Sequence, residues 1–158
     1  YKRFLLQTTF GSWENAIISD VLAHNIAKGM GLDYLDYRPV VVFINGEYWG
    51  IQTIRDKIDE RYVAYGNDLD KDSVEIRGFY SIPYLSLKVF IESNDLSNTV
   101  NYEYVKTKLD IDNFIDYHIV EMYLKNFDWP ANNIDAWKEK NDGGKWRWLF
   151  YDIDAGFG

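Results

Sequence analysis

The sequence predicts an α+β fold. Three observations carry that reading. Asn45-Gly46 stands between two β-rich runs, Arg38–Ile44 and Glu47–Ile54. Ile115, Ile119, Met122 and Tyr123 recur at helical spacing within a long stretch from Asp112 to Lys125. A second turn signal, Asn141-Asp142-Gly143-Gly144, separates Ile134–Lys138 from Lys145–Tyr151.

Taken in order, Lys2 to Gln7 reads as a short strand. Ser12 can cap a helix with Glu14 in its first turn. That helix carries Ile17, Ile18, Val21, Leu22 and Ile26 on one face and ends at Gly29 and Gly31. The Asn45-Gly46 pair predicts a hairpin from Val40 to Ile54, because a type I′ turn needs positive φ at both central residues. Lys57 to Tyr65 reads as a short helix. Residues 66–80 are rich in Asn, Asp and Gly and read as a loop. Ile82 to Ile91 fits either a strand (Leu85, Leu87, Val89, Ile91) or a helix (Tyr84, Leu87, Ile91), and helix is preferred. Helices are expected over Asn98–Lys108 and Asp112–Lys125, the second capped by Asp110 or Asp112. The two closing strands follow.

Composition narrows the function. The 158 residues suit one domain with a real core. No apolar run approaches the roughly 20 residues of a membrane span. The chain begins at Tyr1 without a Met, so a fragment of a larger protein is expected. A net charge of −8 disfavours a broad nucleic-acid surface. There is no cysteine for a disulfide or a thiolate metal site, and His24 and His118 are the only histidines. Any metal is therefore expected to be hard and oxygen-bound. Aromatic residues reach 18%, which suits half-buried strands or, more sharply, a sugar-stacking surface.

The chemistry concentrates near the end, in "NFDWPANN" (residues 126–133) and "YDID" (151–154). Phosphoryl transfer asks little of a protein: a carboxylate to orient the attacking hydroxyl, and an amide oxygen and a second carboxylate to hold metal. Protein kinases set these out as Asp-x-x-x-x-Asn on a loop, a short hairpin and a later Asp. Asp128, Asn133 and Asp152 follow that order here. Singly, Asp128, Asn132 and Asn133 also suit ordinary turns and caps. Asp152 and Asp154 would share a face if the strand continued through them, and their repulsion would then call for a cation.

The stretches "RPVVVFINGEYWGIQTIRDKID", "NFDWPANN" and "KWRWLFYDIDAGFG" occur in this order from residue 38 to the end. Through them the chain resembles the spore-coat kinase CotH family of atypical, secretory-type protein kinases. The resemblance implies a reduced protein-kinase-like fold, with an antiparallel small-lobe sheet and a helical large lobe. It implies one domain over 1–158, incomplete at both ends, with 1–56 in the small lobe and 57–158 in the large lobe. It implies an ATP-dependent kinase that uses Mg or Mn and acts on Ser/Thr side chains of a coat or extracellular protein, at the spore surface or outside the cell. Asp128 would be the catalytic base. Asn133, Asp152 and Asp154 would be metal ligands, and Asn132 would support the loop. Lys2 or Arg3 would meet the phosphates, with Glu14 or Asp20 as the acidic partner.

Two rival readings stand beside it. One is a pseudokinase, a binding or coat-structural module that keeps the fold without the chemistry. The other is a carbohydrate-binding or glycoside-active domain, in which Asp128 and Asp152 form a carboxylate pair. That pair would need about 5–9.5 Å between its groups.

Overall fold

A computed structural model describes residues 3–8, 18–78 and 82–157, with side chains from residue 85 in the last stretch. The expectations for Lys2, Ser12, Glu14, Ile17 and Tyr84 lie outside this description. The fold is α+β, with two small antiparallel sheets and five α-helices among the described residues, consistent with a reduced kinase-like fold.

Strand β1 (Phe4–Gln7), helix α1 (Ser19–Ala27) and the hairpin β2 (Tyr37–Ile44) and β3 (Glu47–Asp56) make the first unit. Its sheet runs β1-β3-β2, so β3 is central. The Asn45-Gly46 turn is as expected, with φ of 52° and 87°. The register slips between Val42 and Phe43, where Trp49 is the extra residue on β3, and the adjacent Gly50 takes up the bulge with φ 120°.

Helix α2 (Glu60–Asn67) follows, two to three residues later than expected. The Asp59 side chain caps it, accepting from the Arg61 and Tyr62 N–H groups at 2.9 and 3.0 Å. The expected loop over 66–80 is only partly one. After the 3-10 turn Lys71–Ser73 comes strand β4 (Val74–Gly78). It pairs antiparallel with β5 (Asp135–Glu139), and β5 pairs with β6 (Arg147–Trp148).

Between β4 and β5 run helices α3 (Ile82–Ser93), α4 (Thr99–Lys108) and α5 (Ile111–Leu124). Asn98 caps α4 and Asp110 caps α5, each through its side-chain oxygen. The last expected strand is much shorter than Lys145–Tyr151. After Trp148 the chain leaves the sheet, and its N–H groups find other carbonyls: Leu149 donates to Asp135 (3.0 Å) and Phe150 to Asp33 (3.1 Å).

The main core gathers Tyr117, Val120 and Leu124 of α5, Ala23 and Ala27 of α1, and Trp146, Trp148, Phe150 and Ile153. Burying each large apolar side chain is worth about 1.5–3 kcal/mol. A smaller cluster joins Val63 and Ala64 of α2 to Val74, Trp137 and Leu149.

Two apolar faces face outward instead of inward. On α5, Ile115, Ile119, Met122 and Tyr123 are exposed, while Asn113, Tyr117, Val120, Glu121 and Leu124 are buried. On α1, Ile18, Leu22 and Ile26 are exposed, while Asp20, Ala23, His24 and Ala27 are buried. Polar groups with fixed partners occupy the inner faces. Asn113 Oδ1 accepts from the Trp148 N–H at 2.6 Å, which pins α5 to β6.

Candidate functional site

The site forms where α1, β3, the loop after α5 and the segment after β6 meet. Arg55 sits on β3, registered between Leu5 and Tyr37. It is buried and forms an ion pair with the buried Asp20 of α1. Its Nε and Nη2 have no partner among the described residues. The second Asp20 oxygen, Oδ1, accepts from the Ile153 N–H at 3.0 Å. One carboxylate therefore ties helix α1 to the central strand and to the segment carrying Asp152.

Burial works against the Asp20 charge. The His24 ring, the Arg55 guanidinium and the Ile153 N–H outweigh it, and the Asp20 pKa falls below the ordinary value. His24 Nδ1 accepts from the Leu35 N–H at 3.1 Å, and Nε2 lies 3.6 Å from Asp20 Oδ1. Burial lowers the His24 pKa, so Arg55 is the standing cation beside Asp20 near neutral pH.

The loop after α5 starts at Lys125, which closes the helix with left-handed backbone, φ 52°. Asn126 is buried. Its Nδ2 donates to Glu121 Oε2 at 2.9 Å, and its Oδ1 accepts from the Asp128 N–H at 3.3 Å. The Asp128 carbonyl accepts from the Ala131 and Asn132 N–H groups at 3.1 and 2.8 Å, making a tight turn that presents the exposed Asp128 side chain. Asn132 thus braces the loop through its backbone. Asn133 is half-buried with φ 56°, a left-handed conformation asparagine tolerates better than most residues. The Phe127 N–H donates to the Ala155 carbonyl at 3.4 Å, linking this loop to the segment of Asp152 and Asp154.

Asp152 does not lie on a strand. It is half-buried in a loop with φ 58°, so the shared-face argument for Asp152 and Asp154 fails. The two still act on each other. Burial raises the Asp152 pKa, and the negative charges of Asp154, Asp20 and Asp128 raise it further, while Arg55 partly offsets them. The fold thus brings Asp128 and Asp152 into one acidic field, with Asp154 and Asp20 beside them. Hard oxygen donors and excess negative charge suit a divalent cation. Among the described residues, however, no three Asp, Glu or His groups close on one point as a finished cage. The remaining ligands would have to come from the Asn133 amide, water or phosphate oxygens.

Arg3 is elsewhere: it pairs with Asp59 at the start of α2. The acidic residue that meets a buried cation is Asp20, and the cation is Arg55, which sequence reasoning passed over. The available signal was an arginine inside the β-branched run "IQTIRD". Glu121 and Asn126 were also missed.

The family description "CotH kinase protein" matches this chain over residues 1–85 and 80–158, and so along its whole length. No curated protein matches it.

Proposed function

Because the chain belongs to the CotH kinase family, we propose that it is an ATP- and metal-dependent protein kinase domain. Its acceptors would be Ser or Thr hydroxyls of a coat or extracellular protein. The observation that carries the reading is the half-buried Asp152 on a left-handed loop residue, set in one acidic field with Asp154, Asp20 and Asp128; burial first, and then those charges, disfavour its ionised form. Like charges are gathered at such cost where a cation is to be bound.

In this reading Asp128 accepts the proton of the attacking hydroxyl, from a loop that leaves its carboxylate exposed. Asp152, Asn133 and Asp154 hold the divalent cation. That cation would neutralise charge developing on the phosphates and keep them in line. Arg55 and Asp20 form the ion pair that fixes α1 against the sheet. The nucleotide sits between the β2–β3 hairpin and the loop carrying Asp152, with residues 1–56 as the small lobe and 57–158 as the large lobe.

A second reading, a pseudokinase, is favoured by the open arrangement of the acids. Calorimetric titration of ATP with and without Mg²⁺ or Mn²⁺, into this chain and into Asp152→Ala, separates the two. The kinase reading requires metal-dependent binding that the substitution abolishes, followed by phosphate transfer to a protein acceptor. Binding without transfer, or no binding with the acids intact, selects the pseudokinase over the kinase.

A further inference from the structure

The buried acid Glu121 has no role in the phosphoryl-transfer reading given above. It lies on α5 with 2% of its surface exposed. Its Oε2 accepts from Asn126 Nδ2 at 2.9 Å, and the other end of the same amide accepts from the Asp128 N–H at 3.3 Å. The Asn126 N–H also donates to the Glu121 carbonyl at 3.3 Å. Asn126 is thus held by Glu121 through both its side chain and its backbone, and its amide oxygen reaches Asp128.

We propose that Glu121 and Asn126 form a proton-sensitive latch that positions Asp128, an inference that rests on reading Asp128 as the catalytic base. The direction follows from donors and acceptors. An ionised Glu121 only accepts, so Asn126 turns its NH₂ toward it and its oxygen toward the Asp128 N–H. A protonated Glu121 presents a donor that competes for the Asn126 oxygen. If the amide turns to meet it, NH₂ faces N–H at Asp128 and the contact is lost. Acid therefore opens the latch, and base closes it.

The surroundings suit such a device. Burial raises the Glu121 pKa to about 6, against the pull of Asn126 and Tyr117. From its own helix it is faced by the buried Tyr117 hydroxyl, which donates toward the Glu121 carboxylate and favours its ionised form. Burial and the Glu121 charge push the Tyr117 pKa up, with Tyr151 adding to it. His118 on the same helix bonds the Phe114 carbonyl through Nδ1 at 2.8 Å and is lowered by burial. The Lys125 ammonium lies over the Phe127 ring, 5.3 Å from its centroid. From β6, Arg147 is taken up by Asp110 and Asp33. Asp128 follows Asn126 through its N–H.

The test is a nitrogen-15 NMR titration of the chain from pH 4.5 to 8. The Asn126 side-chain amide and the Asp128 backbone amide should move together with one midpoint near pH 6. In Glu121→Gln, which cannot ionise, neither signal should show this midpoint. In Asn126→Ala the Asp128 amide should lose this midpoint while the fold persists. If the wild-type signals do not titrate near pH 6, or if Glu121→Gln titrates as wild type does, the latch is wrong. The second outcome would assign the titration to His118. In phosphate transfer, wild-type kcat should fall about tenfold from its plateau by one pH unit below the midpoint. Glu121→Gln should lack that fall, with KM for the acceptor unchanged. Absence of transfer by the wild type would overturn the kinase reading, while the NMR titration still decides the latch.

Discussion

Asp128 and Asp152 share one acidic field and should fail differently when changed. Asp128→Asn should leave metal-dependent ATP binding within about threefold of wild type and lower the transfer rate by about 10²–10⁴. Asp152→Asn should weaken metal–nucleotide binding itself, seen in the same titrations. Equal effects of the two on binding would refute the division of roles. The raised Asp152 pKa adds a pH dependence. A cation needs the carboxylate ionised, so binding should weaken as pH falls toward and through that raised pKa, at higher pH than an ordinary aspartate would show. Calorimetry in buffers of different ionisation heat would register the released proton. Arg55 is the other sensitive residue. Arg55→Met strands Asp20 as a buried charge and should cost about 3–5 kcal/mol in urea unfolding. The double change Arg55→Met with Asp20→Leu should cost clearly less, because no charge is then left alone. Of these residues, the sequence order of Asp128, Asn133 and Asp152 was enough to suggest chemistry. Arg55 was not recognisable, because what distinguishes it is burial against an acid more than thirty residues away in the chain.

At the level of elements, legibility followed the locality of the cause. The Asn45-Gly46 hairpin and the cap at Asp110 depend on residues within a few positions, and they stand where expected. Strand β4 depends on pairing with β5, roughly sixty residues later, and the polar sequence around it read as loop. The helical spacing of α5 was legible but not which face turns inward, because the inward positions include Asn113 and Glu121, whose partners are fixed hydrogen bonds. A scale that scores only hydrophobicity turns such a helix the wrong way round. Gly144 offers a test at this scale. A Cβ there would collide with the Glu139 carbonyl oxygen, a backbone atom that cannot swing aside. Gly144→Ala should therefore loosen the β5–β6 connection and cost about 2 kcal/mol or more, measured by chemical unfolding. Asn98→Ala, which removes one cap bond on α4, should cost about 1 kcal/mol.

For the whole molecule, Glu121 makes stability depend on pH. Its folded pKa of about 6 exceeds the ordinary 4.5. The folded chain therefore holds more proton than the unfolded chain between those values, and stability falls as pH rises through the window. The cost is fully present above pH 6 and amounts to about 2 kcal/mol. Glu121→Gln should accordingly be more stable than wild type by about that amount at pH 7.5, with the gain gone near pH 4. Unfolding midpoints at the two pH values give the comparison directly.

The bond from the Ile153 N–H to Asp20 has a mechanical meaning as well. Helix α1 and the segment of Asp152 share one anchor, so neither can be displaced without straining the other. Thermodynamic reciprocity then applies: a molecule that grips the outer side of α1 and shifts it must change affinity at Asp152, and occupancy at Asp152 must change that grip by the same factor. If Asp152 binds as proposed, the exposed Leu22 and Ile26 on that outer side would be a handle on it from a distance.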